Sequence, residues 1–198
     1  TPLYSSAASD VYKRQIQERL GEEGIEVGEK YAPLFHEFAG RMYLVEDQPP
    51  WAPARRSKSR LNATPKRHLV DPSLAAAAMG ASHTALAKDP RTLGFLFESL
   101  VLRDLRVYSQ PLRGTAFHFR NKDGTAEIDI VLELRDGRWV GVEVKLTQEA
   151  AIEAAPRLQQ VAESIKRPPE ALLLVTPTGV AAQVSDRTWI VPIGLFGP

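Results

Sequence analysis

The 198-residue chain contains no cysteine, which excludes disulfide bridges and thiolate metal sites. It suits a reducing compartment, and a cytoplasmic location is expected. Histidine is scarce: His36, His68, His83 and His118 are the only four, and no two stand at the spacing of a ligand pair. A metal site must therefore use oxygen ligands, which favours magnesium, manganese or calcium over zinc. No apolar run approaches the roughly 18 residues that span a bilayer, so no membrane partner is expected. No G-x-x-x-x-G-K-[ST] segment occurs, so the chain has no phosphate loop for ATP. Net charge is nearly absent as well, at +1.

What remains has the make-up of a globular protein, 43% hydrophobic and 25% charged. The length suffices for one good core, or for a small domain attached to a medium one. Charge is unevenly spread. Residues 16–47 hold eight acidic and three basic side chains, whereas residues 48–70 hold six basic ones and no acid. The stretch SSAASDVYKRQ, Ser5 to Gln15, resembles a translated transposon-end sequencing adapter. Residues 1–15 are therefore set aside from fold reasoning, and an N-terminal part of the native protein is expected to be missing.

Residues 16–70 predict a helix in VGEKYAPLFHEFAG, with Leu34, Phe35 and Phe38 as its apolar stripe. A strand in RMYLVED, a Pro- and Arg-rich loop, and a short strand in RHLVD follow. Helix, strand, basic loop, strand is the rear half of a winged helix. Residues 71–198 predict a separate α/β domain. A short helix is capped by Asp71-Pro72 and stopped by Gly80, and a long one opens at Asp89-Pro90. Strands follow in TAFHFRN, TAEIDIVLELR and RWVGVEVKLT, then a helix broken in two by Pro156. ALLLVT reads as a central strand covered on both faces, and TWIVPIGLFG as a last strand.

Three carboxylates and a lysine stand out against this apolar pattern. Glu98 falls on one stripe of the long helix with Gly94, Val101 and Leu105, so it needs a cationic or metal partner, or a proton. In AEIDIVLEL, the residues Ile128, Ile130, Leu132 and Leu134 alternate with Glu127, Asp129 and Glu133. In GVEVKLT, Glu143 and Lys145 share one face. A two-residue Asp136-Gly137 loop would set Asp129 opposite Val144; a three-residue loop, Arg135-Asp136-Gly137 with Gly137 left-handed, or a bulge of the same effect, is expected and sets Asp129 opposite Glu143 and Glu127 opposite Lys145. Two carboxylates beside an amine can hold a divalent ion and a substrate phosphate. A plain cross-strand ion-pair ladder is the alternative.

The order Glu98, Asp129, Glu143-x-Lys145 resembles the PD-(D/E)XK nuclease superfamily. More closely, GFLFESLVLRDL, FRNKDGTAEIDIVLEL and GVEVKLT resemble the C-terminal domain (domain of unknown function 4143) of bacterial and archaeal AAA-type ATP-binding proteins. The resemblance implies a restriction-endonuclease-like mixed sheet flanked by helices, preceded by a partial winged helix and, upstream, by the missing ATPase domain. It implies Asp129 and Glu143 as Mg²⁺ (or Mn²⁺) ligands, Lys145 as the water-positioning amine and Glu98 as an auxiliary acid. Gln159 or Gln160 matches a glutamine that some of these nucleases add. The expected substrate is DNA, with Arg55, Arg56, Lys58 and Arg60 in the wing and Lys66 and Arg67 on the next strand contacting phosphates. A catalytically inactive DNA- or protein-docking module serving the ATPase is the alternative.

Overall fold

The computed structural model describes residues 37–53, 64–121 and 123–197. Its centre is a six-stranded mixed sheet ordered β3-β4-β5-β6-β8-β7. β3 (Thr115–Arg120), β4 (Glu127–Glu133) and β5 (Trp139–Val144) form an antiparallel meander. β6 (Ala171–Thr176) runs parallel to β5 and to β8 (Thr188–Pro192), and β7 (Ala182–Ser185) closes the edge antiparallel to β8. The apolar run ALLLVT is thus the strand with parallel neighbours on both sides, as its unbroken hydrophobicity requires. The α/β expectation holds: helices lie on both faces of a mixed sheet.

Two cores sandwich that sheet. On one face α3 (Pro90–Ser109) packs Phe97, Val101, Leu102 and Leu105 against Ile130, Val142 and Val175. Asp89 caps this helix by accepting from the backbone N–H of Thr92, and Pro90 sits in the first turn where its missing N–H costs nothing. On the other face α4 (Gln148–Glu163) packs Ala151, Ala155 and Leu158 against Trp139, Leu174 and Ile190. Contrary to expectation, α4 runs unbroken through Pro156. The carbonyl that Pro156 leaves without its usual donor belongs to Ile152, a residue on the exposed side of the helix.

Two short helices, α1 (Pro72–Ala78) and α2 (His83–Lys88), precede α3. Asp71 caps α1, and Gly80 follows it at φ 60°, as the sequence predicts. Upstream, residues 37–41 are helical. Phe38, expected to be buried, is 60% exposed, while Leu34 and Phe35 lie outside the described residues. The following strand begins later than RMYLVED suggests, because Tyr43 turns the chain at φ 56°. β1 (Val45–Gln48) then pairs antiparallel with β2 (Lys66–Leu69) as a two-stranded ribbon.

The ribbon shares buried contacts with residues beyond the expected boundary at residue 70. Gln48 is fully buried, and its Nε2 donates to the carbonyls of Phe117 and Asp129, both at 2.9 Å. His68 bridges Gln48 Oε1 and Ser99 Oγ at 3.1 Å each. Arg106 of α3 pairs with Glu46. Past β1, the backbone exchanges hydrogen bonds with His118, covering the free edge of β3.

Candidate active site

The β4–β5 hairpin decides where the acidic side chains go. Leu134 N–H donates to Arg138 O at 2.8 Å, and Gly137 sits at φ 86°, so the loop has three residues, Arg135-Asp136-Gly137. Pairing then sets Ile130 opposite Val142 and Glu133 opposite Trp139. Continued by one residue, that register brings Asp129 level with Glu143. The ladder stops there. Val144 N–H bonds instead to Asp129 Oδ2 at 3.0 Å, so the carboxylate fills the gap where the two strands part.

A second device turns Asp129 inward. Phe117 pairs with Val131 but Phe119 with Ile128, so Asp129 and Ile130 together face the single residue His118. This is a β-bulge, which re-aims side chains. It corrects the simple alternation: Ile128 joins the core under α4, whereas Ile130 joins the core under α3. Asp129 emerges on the α3 side beside Glu98. Glu127 does not face Lys145 as expected but pairs with Arg120 at 2.8 Å.

Glu98, Asp129 and Lys145 line one pocket of about 290 Å³, together with Arg91, Gly94, Phe95 and Val144. Glu143 joins the group through Lys145, whose Nζ donates to Glu143 Oε1 at 2.7 Å. A second lysine, Lys66, enters from the ribbon. Its Nζ lies 3.0 Å from Glu98 Oε1 and 3.4 Å from Asp129 Oδ1. All three of these side chains are mostly buried, at 16–17% exposure. Lys66, expected to contact DNA, instead points inward. On β2 it shares a side with buried His68, while Arg67 faces solvent and reaches Asp47 at 3.9 Å. Arg55, Arg56, Lys58 and Arg60 lie outside the described residues.

Electrostatics follow from this crowding. Burial lowers the Lys66 pKa, but Glu98 and Asp129 outweigh it, so the amine stays firmly charged. Burial raises Glu98 above the usual carboxylate range despite Lys66. Asp129 is also penalised by burial, yet Lys66, Lys145 and the Val144 N–H hold it below its ordinary value. Glu143 is pushed up to about 7, by burial and then by the charge of Asp129. Burial acts to lower Lys145, but Glu143 and Asp129 raise it overall. His68 and His118 are depressed to about 3 and about 4, first by burial and next by the Lys66 charge, so both are neutral at ordinary pH.

The donor set suits a hard divalent ion, because Glu98, Asp129 and Glu143 offer only carboxylate oxygens. Among the described residues, however, no three such groups stand ready around one point. The gap between Glu98 and Asp129 already holds positive charge, that of Lys66. The residues thus fit the ion by chemistry, while the Lys66 amine stands between two of them. Gln159 does not belong to the site. It donates to Ser185 Oγ, and to Thr188 Oγ1 at 2.9 Å, tying α4 to the last strands; Gln160 is exposed.

Sequence comparison adds one finding. The family model of a domain of unknown function, DUF4143, matches residues 93–196, just over half of the chain. The chain belongs to the DUF4143 family. No curated protein and no solved structure matches it. The matched DUF4143 segment contains Glu98, Asp129, Glu143 and Lys145, whereas Lys66 and Gln48 lie before it. Sequence reasoning missed Gln48 and gave Lys66 another role, that of a DNA contact. The period of two in β2, which pairs Lys66 with His68, is the signal that would have turned Lys66 inward. Among the described residues no helix is long and apolar enough to cross a membrane.

Proposed function

We propose that this chain is a C-terminal part of an AAA-type ATP-binding protein, and that its DUF4143 domain is a PD-(D/E)XK-like site for Mg²⁺- or Mn²⁺-dependent hydrolysis of DNA phosphodiester bonds. The family is known from AAA-ATPase-associated proteins, which supports the first part. The second rests on one observation: Glu98, Asp129, Glu143 and Lys145, from a helix and two strands, meet in one partly buried cluster. Glu98, Asp129 and Glu143 would hold the ion. A bound Mg²⁺ supplies charge neutralisation at the phosphate and a more acidic water. Lys145 remains an ammonium at neutral pH, so it serves to stabilise developing negative charge and not as a base. Glu143, raised to about 7 in the metal-free cluster by burial and then by Asp129, would be held ionised by a bound cation, so metal binding there releases a proton near neutral pH.

A second reading is favoured by Lys66. With its amine between Glu98 and Asp129 the cluster is held together without any metal, as in a docking module that keeps the fold and lacks the reaction. One assay separates the two. Plasmid, linear duplex and single-stranded DNA are incubated with the protein and Mg²⁺ or Mn²⁺, beside Asp129→Ala and Lys145→Ala. Hydrolysis predicts cutting by the wild type and a loss of roughly 100-fold or more in each variant. Intact DNA in every lane, with the wild type still bound to it, establishes docking instead.

A further inference from the structure

We infer that Lys66 is an internal counter-ion that competes with the divalent cation for Glu98 and Asp129, so that the β1–β2 ribbon controls whether the pocket takes a metal. The inference builds on the reading of those carboxylates as metal ligands. Asp129 has one oxygen committed to the Val144 N–H, and its other oxygen faces Lys66. The nearest oxygen of Glu98 faces the same amine at 3.0 Å. An ion arriving between these acids meets Lys66 at the oxygens it needs.

Like charge sets the two against each other. Lys66 and Lys145 already bring two positive charges to these carboxylates, and Arg91 lines the same pocket. A divalent ion beside them would add two more within a few ångströms, among side chains that are mostly buried, where repulsion is strong. Withdrawing Lys66 relieves part of that repulsion and frees the oxygens it holds. Withdrawal is mechanically simple. The lysine stem is flexible, while the ribbon is anchored independently through Gln48, His68 and the Arg106–Glu46 pair. The amine can leave without its strand moving.

The test is Mn²⁺ binding to the whole chain, read by calorimetry and by the shift in melting temperature, with DNA cleavage scored separately. Lys66→Met is expected to bind Mn²⁺ roughly tenfold more tightly than the wild type or better, and Asp129→Asn in the same background to erase the gain. Equal affinity in the wild type and Lys66→Met overturns the inference, as does a gain that survives Asp129→Asn. Should Lys66→Met not fold, Lys66→Met with Glu98→Gln removes one charge of each sign. It is compared with Glu98→Gln alone, and the same gain is required. Tight Mn²⁺ binding by a protein that never cuts DNA supports this inference and defeats the hydrolysis reading. Cutting by the wild type with no gain from Lys66→Met does the reverse.

Discussion

Glu143→Gln tests the electrostatics of the cluster without reference to any ligand. Glutamine mimics the protonated acid in shape and can still accept from Lys145. In the folded chain Glu143 titrates at about 7, against an ordinary 4.5. A raised carboxyl pKa means that the folded state binds this proton more tightly than the unfolded one. Its favourable contribution is therefore complete below about pH 4.5, is lost as pH climbs towards 7, and stays lost above that. Linkage gives a deficit of roughly 1 kcal/mol near pH 5 and roughly 3 kcal/mol near pH 8. The variant has no such group, so its stability relative to the wild type should rise by roughly 2 kcal/mol across that interval. Urea denaturation of both proteins, without metal, at several pH values measures the difference directly. A difference that stays flat with pH, or one that favours the wild type as pH rises, would refute a burial penalty at Glu143 that outweighs its pairing with Lys145.

Gln48→Leu should cost roughly 2–4 kcal/mol in urea denaturation, because it withdraws one donor from two carbonyls and the partner of His68 inside a dry interface. A loss under about 0.5 kcal/mol would show that the ribbon is held by other interactions. Gly141→Ala should destabilise by about 1–3 kcal/mol, since a Cβ there would stand 2.9 Å from Leu172 Cδ2 and 3.2 Å from the Trp139 ring. An unchanged melting temperature would contradict that crowding. Reversing Arg55 and Arg56 to glutamate should weaken DNA binding and lower the salt slope by about 0.9 for each phosphate no longer neutralised; an unaltered slope rules these arginines out.

Sequence reasoning reached the side-chain cluster by way of local rules that tertiary structure did not override. Asp89-Pro90 starts α3 because cap and proline both satisfy the helix N-terminus. Gly137 selects the three-residue loop because only glycine sits easily at φ 86°. The failures are those in which a distant partner decides. The bulge at Asp129 and Ile130 exists only against His118 of β3, so alternation within β4 could not reveal which isoleucine faces which helix. β7 has four mostly exposed residues and no alternating pattern to announce it. Pro156 reads as a breaker, yet it lies on the solvent side of α4, where a lost hydrogen bond costs least. Lys66 sits in a run of basic residues that reads as a wing, and composition there outweighed the alternation that buries every second side chain.

The placement of Lys66 also separates two things that substitution can change. Scaffold and acids reside in sheet and helix, whereas the opposing amine reaches them from the β1–β2 ribbon by one side chain. Exchanging that single position for a neutral residue would strip one positive charge from the pocket while leaving every strand in register. Relatives that differ only there should diverge in cation appetite without diverging in shape.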